Sequence, residues 1–105
     1  MAQQGEGKFK QRVVKDLKEV FGDDIDILAT QERGRIGVAD LVICLKGTSI
    51  RNELKAEGRV PTPLQQLKLD RHARAGGLSM SSTPSVWPSH LALLKERFGF
   101  GGPRA

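Results

Sequence analysis

The chain has one cysteine, Cys44, no tyrosine and one tryptophan, and aromatic residues make up 5% of its 105 residues. One thiol cannot build a disulfide framework, and no Cys/His spacing offers a zinc site. So few rings argue against an OB-fold-like binder of single strands, which stacks bases on aromatic platforms. No apolar run approaches the ~20 residues that span a bilayer. The opening residues, Met1-Ala2-Gln3-Gln4-Gly5-Glu6, lack the apolar stretch of a secretory signal. None of the glycines is followed by Lys and then Ser or Thr, so there is no phosphate-binding P-loop. The length leaves no room for a separate cofactor domain. The expectation is one domain over residues 1–105, cytoplasmic and without a membrane partner.

What is present is charge. Lys plus Arg number 17 against 12 Asp plus Glu, giving net +5, with a pI near 9.8. Apolar residues at 38% and charged residues at 28% are the composition of a globular chain. The basic surplus favours an anionic partner without identifying it.

Phe9, Val13, Leu17, Val20 and Phe21 share one face of a helical period and predict a helix over 8–21, stopped by Gly22-Asp23-Asp24. A first strand follows at 25–30, then a loop at 31–37 carrying two glycines and two arginines. Residues 40–45 predict a second strand buried on both faces, with Cys44 as a small buried hydrophobe. A third strand at 49–55 forms a hairpin with it. Thr62 caps a helix that begins at Pro63 and runs to about Ala75, stopped by Gly76-Gly77. A weaker strand at 78–83, a turn bracketed by Pro84 and Pro88, and a helix at 89–98 complete the order. Residues 99–105 are expected to form a flexible tail. His72, His90 and Trp87 are better assigned to packing than to chemistry. The order α-β-β-β-α-β-α predicts an α/β fold, a mixed central sheet flanked by helices.

The hairpin carries the sharpest signal. If Gly47-Thr48 is a two-residue turn, Lys46 faces Ser49 and Asp40 lies opposite Lys55. Glu53, two residues before Lys55, shares its face. Two carboxylates and an ammonium among Leu, Val and Ile are costly unless paired or bound to metal. Carboxylates on adjacent strands offer the hard oxygen ligands that suit Mg²⁺ or Mn²⁺. A neighbouring lysine can orient a water or stabilise charge developing on a phosphoryl group.

Gly37-Val38-Ala39-Asp40-Leu41-Val42 followed by Asn52-Glu53-Leu54-Lys55 resembles the signature of the PD-(D/E)XK nuclease superfamily, whose restriction-endonuclease-like αβββαβ core has the element order above. Within it the chain is similar to the VRR-NUC (virus-type replication-repair nuclease) family of stand-alone phage and bacterial proteins. Glu6-Gly7-Lys8-Phe9 fits the start of that family's first helix, and Pro63-Leu64-Gln65 fits the start of the helix after the third strand. The resemblance covers about residues 6–77. It implies that Asp40, Glu53 and the Leu54 carbonyl hold Mg²⁺ or Mn²⁺, that Lys55 is the catalytic lysine, that Gln65 supports the site and that Glu6 is an auxiliary acid near the metal. It also implies a DNA endonuclease acting on duplex or branched DNA such as Holliday junctions, as a homodimer in a bacterial cell or phage-infected host, with a replication or repair protein as a further partner. Ala39 stands where the family has proline, which bears on strand geometry. Asn52 replaces an apolar residue, which bears on packing.

Arg33 and Arg35 in the glycine loop, Lys8 and Arg12 on the first helix, and Arg59 and Lys68 flanking Gln65 are the candidate contacts to DNA phosphates. Leu78, Met80, Trp87 and Leu93 are the candidate apolar contacts of a dimer. Two rival readings share the fold: a DNA-binding module without catalysis, and a subunit that recruits a replication partner.

Overall fold

A computed structural model of the chain describes residues 6–29 and 40–99. The apolar period of the first segment becomes helix α1 (Glu6–Phe21), whose Phe9, Val13, Leu17 and Phe21 are all buried. A single 3-10 turn, Gly22–Asp24, leads into β1 (Ile25–Ala29). Then come β2 (Leu41–Leu45), β3 (Thr48–Leu54), α2 (Pro63–Arg74), β4 (Leu78–Ser82) and α3 (Trp87–Phe98). The four strands form one mixed sheet in the order β1-β2-β3-β4. β1, β2 and β3 are antiparallel neighbours, while β4 runs parallel to β3. The parallel pair needs a crossover connection, and α2 supplies it. The predicted α/β class, order and mixed sheet are those observed. Among the described residues no helix is long and apolar enough to cross a membrane.

The core lies on one face of the sheet. Leu41, Ile43 and Leu45 of β2 and Ile50 and Leu54 of β3 pack there against α1 and against Trp87 and Leu94 of α3. Trp87 is fully buried, and its indole N–H donates to Asp16 Oδ2 at 2.9 Å, tying α3 to α1. α3 begins two residues earlier than the prolines led one to expect. Pro88 sits in its first turn, where a missing N–H costs no helix bond. Of the four residues suggested for a dimer contact, Leu78 and Met80 are half-buried against the core and Trp87 is sealed inside it, so only Leu93, 57% exposed, lies on the surface.

Two expectations about the hairpin are corrected. The turn has two residues, but they are Lys46 and Gly47, both at positive φ (49° and 88°), with Leu45 facing Thr48. This is the conformation whose twist matches a hairpin. The register therefore shifts by two, which preserves which face each side chain occupies. Second, β2 is buried on one face only. Cys44 is exposed, and Leu28 of β1, which pairs with Val42 on the same face, is 62% exposed. α2 covers the β3–β4 half of that face, and among the described elements nothing covers the β1–β2 half. Arg33, Arg35, Ala39 and the tail beyond Gly99 lie outside the described residues.

Candidate active site

Strand alternation separates chemistry from core on β3. Ile50, Asn52 and Leu54 point to the buried face, while Arg51 and Glu53 point to the α2 face. Asn52 is 1% exposed, and neither its amide oxygen nor its nitrogen has a partner among the described residues. Nothing in the structure explains that polar side chain.

Asp40 is the half-buried bend residue just before β2. Its Oδ2 accepts the Leu54 backbone N–H at 2.9 Å, which anchors the carboxylate beside the residue that follows Glu53. Carried one step past the Leu41–Asn52 pair, the register sets Asp40 level with Glu53, in place of the expected Lys55. Glu53 is 4% exposed. Its Oε2 lies 3.7 Å from Lys55 Nζ and accepts a hydrogen bond from Gln65 Nε2 at 3.1 Å. A carboxylate this buried needs such partners, because an unpaired charge out of water is costly. Lys55 is held in turn by its own backbone N–H, which donates to Ser82 O at 2.9 Å and extends the β3–β4 pairing.

Gln65 owes its orientation to the start of α2. Thr62 Oγ1 accepts the Gln65 N–H at 3.1 Å, and Gln65 Oε1 accepts the Thr62 N–H at 2.9 Å, a reciprocal capping box. With the amide oxygen committed to Thr62, the amide nitrogen is left facing Glu53. The cap thus sets the polarity of a side chain in the site.

The other candidates are placed unequally. Leu54 joins the site through its backbone, its side chain being core. Glu6 opens α1, and its side chain is not among those described. Lys8 and Arg12 are exposed on α1, on the opposite side of the sheet from α2, and Arg12 lies 4.0 Å from Asp16. Arg59 is exposed in the β3–α2 connection. Lys68, half-buried, sits one turn after Gln65 on the same side of α2.

Sequence reasoning passed over a polar layer beneath α2. His72 Nε2 meets Ser49 Oγ at 2.9 Å, and His72 Nδ1 meets Ser79 Oγ at 2.9 Å. Ser79 Oγ donates its proton to Leu69 O at 2.7 Å, so it accepts from His72, which assigns the hydrogen to Nδ1. Burial first, and then the charge of Arg51, lower the His72 pKa below its ordinary value. His90, bonded through Nδ1 to Ser82 Oγ at 2.7 Å, is also lowered by burial. Glu57 accepts the Ser85 backbone N–H at 2.6 Å and the Ser85 hydroxyl at 2.8 Å, which lowers its carboxyl pKa. Serines spaced along strands carry no signal of these pairings in sequence, because the partners come from another element.

Asp40 and Glu53 present hard oxygen donors from adjoining segments. Among the described residues no group of three or more His, Cys, Asp or Glu side chains gathers anywhere. That donor set fits a Mg²⁺-like ion, which takes one or two carboxylates and fills its remaining positions with water and substrate phosphate oxygens.

No family model matches the chain, and no curated protein matches it. Two solved structures are similar to it. One, described as a VRR_NUC domain, is 26% identical with a TM-score of 0.61, over 84% of this chain and 95% of its own. The other, a VRR_NUC domain protein, shares the fold at 16% identity with a TM-score of 0.69 over 100% of both chains. The first supports a VRR-NUC assignment and a nuclease-type domain, and the second shows the same fold.

Proposed function

We propose that this VRR-NUC-like chain is a metal-dependent DNA endonuclease. The observation that carries the reading is the Glu53 carboxylate, buried yet met at one oxygen by Lys55 and Gln65, with Asp40 pinned beside it through the Leu54 N–H. Asp40, Glu53 and the Leu54 carbonyl would hold Mg²⁺ or Mn²⁺. Such an ion polarises a phosphoryl oxygen and lowers the pKa of a bound water. Lys55 Nζ orients the attacking water and offsets the charge that builds on the phosphoryl oxygens. Gln65 keeps Glu53 turned toward the site. The water oxygen forms a new bond to phosphorus as the bond to the 3′ oxygen breaks, and that oxygen leaves with a proton.

The basic surface holds the polyanion against an acidic centre. The family resemblance favours branched DNA such as Holliday junctions as substrate. One site cuts one strand, so symmetric cutting of two strands calls for two copies about a two-fold axis.

The test incubates purified protein with a four-way junction, a linear duplex and single-stranded DNA in Mg²⁺, Mn²⁺ or EDTA. Cleavage is expected with metal, none in EDTA, and a loss of at least about a hundredfold in Glu53→Gln and Lys55→Ala. Cleavage that survives EDTA, or is unchanged in Glu53→Gln, overturns the reading. Binding without cleavage in either metal favours the non-catalytic module.

A further inference from the structure

The proposed chemistry uses Asp40, Glu53, Lys55 and Gln65 and leaves one cation on the same sheet face unexplained. Arg51 precedes Glu53 by two residues on β3, and the alternation of the strand sets their Cα atoms about 6.7 Å apart. Its Nε is shut off from solvent and has no hydrogen-bond partner, while the residue as a whole is only half-buried. Among the described residues no carboxylate pairs with it. The His72 ring is already bonded by Ser49 and Ser79, and the positive charge of Arg51 disfavours its protonation, so the ring is no counter-charge. On the other side lies β2, where Val42 faces Arg51 in the register and no described element covers the sheet.

The Nε of Arg51 is withdrawn from water and no carboxylate among the described residues balances the charge, while the terminal nitrogens are not sealed off. Arg is the side chain whose fork of donors matches phosphate. Part of the desolvation is already borne by the free protein at Nε, which lowers the cost of binding an anion at the terminal nitrogens. The neighbouring Glu53 site marks where a phosphate would lie. We propose that Arg51 binds a DNA backbone phosphate adjacent to the one being cut, as a strand-positioning contact running along β3 toward the β1–β2 half of the sheet, which no described element covers. The proposal rests on the nuclease reading for the location of the cut strand, but the binding contact can be measured without cleavage.

The experiment measures binding of a fluorescent duplex and a four-way junction by anisotropy in Ca²⁺ across a series of salt concentrations. It compares wild type, Arg51→Met, which keeps the aliphatic stem, Arg51→Gln and Arg51→Lys. Each phosphate contact adds about 0.9 to the slope of log K against log salt, so losing one weakens binding about eightfold at 0.1 M salt. Both neutral variants are expected to show that loss and a slope shallower by about one, equally on different sequences. Arg51→Lys is expected to keep most of the slope, which follows charge, while its KM rises because a single ammonium lacks the forked donors. In cleavage assays with Mg²⁺ or Mn²⁺, KM is expected to rise while kcat holds.

An unchanged affinity and slope in whichever neutral variant folds overturns the proposal, and melting curves identify the folded variants. If neither folds, Arg51→Lys with the wild-type slope and an unaltered KM overturns it just as well, since loss of the fork would then have no effect. Wild-type protein that binds DNA but cuts none sinks the nuclease reading alone, and the slope still reports on Arg51. Wild-type protein that binds no DNA overturns both.

Discussion

His72 shows how much one side chain can demand of its surroundings. Both ring nitrogens are bonded, and the ring lies so close to Gly77 that a Cβ there would stand 2.3 Å from its Cε1 and Nε2 atoms. The ring cannot swing aside without breaking its bonds to Ser49 and Ser79. Gly77→Ala is therefore expected to destabilise the protein by about 1–3 kcal/mol, the range for overpacking, as read by urea denaturation. Stability equal to wild type would mean that the ring relocates freely. Gly77 was legible in the sequence only as half of a helix stop. That role is real, since its N–H closes on His72 O at 3.0 Å, but the contact with the ring depends on β4 returning beneath α2. Arg51 was illegible for a similar reason. An arginine in a strand reads as a solvated side chain until the structure shows its Nε buried and unpartnered.

At the level of elements, the start of α2 does two tasks at once. Thr62 ends the loop after β3, and its reciprocal bonds with Gln65 orient an amide that reaches Glu53. Thr62→Ala is expected to cost about 1 kcal/mol in stability, as for other lost N-caps. Its effect on cleavage should be larger than that loss of folded protein explains, because the Gln65 backbone N–H loses its acceptor and the first turn that carries the amide loosens, even though the backbone N–H of residue 62 stays bonded to Oε1. Thr62→Ser should restore both. Melting temperature and kcat measured on the same preparations separate the two effects, and full activity in the alanine variant would show that Gln65 does not depend on the cap. The cap, Pro63 and the terminating glycines were all legible, since each acts through local backbone chemistry. The β2–β3 turn was legible in length but not in position, because Lys46 adopts a left-handed conformation that lysine seldom takes. The face assignment survived because the register moved by an even number of residues. Cys44 was misjudged because an apolar run states that a strand is fit to be buried, whereas coverage is decided by where a helix on the far side comes to rest.

Over the whole molecule, three groups link stability to pH in the same direction. His72 and His90 have pKa values lowered from 6.5, and Glu57 from 4.5. A group with a depressed folded-state pKa contributes stability that is present above its ordinary pKa and is lost as pH falls toward the folded value. Melting temperature is thus expected to be flat above about pH 7, to decline below 6.5 as the unfolded chain takes up imidazole protons, and to fall again below about 4.5. Replacing His72 and His90 together by Gln should flatten the first decline, measured against the wild type at each pH. A wild-type melting temperature constant from pH 7.5 to 5 would contradict the assignment of both rings as neutral. The mixed sheet and its helices were legible from the order of elements alone. Which face of β2 is core was not legible, because the run reads as buried on both sides and only the structure leaves Val42 and Cys44 off the core.

The sequence separations of the named bonds have a consequence for how the chain folds. Asp40 reaches Leu54 across 14 residues and Gln65 reaches Glu53 across 12, whereas the indole of Trp87 meets Asp16 across 71. Closing a short loop costs less chain entropy than closing a long one, so the site's own contacts can form before the helices on the other face have met. The candidate site is then a local unit, and the docking of α3 on α1 is the late, topologically distant step that locks it in place.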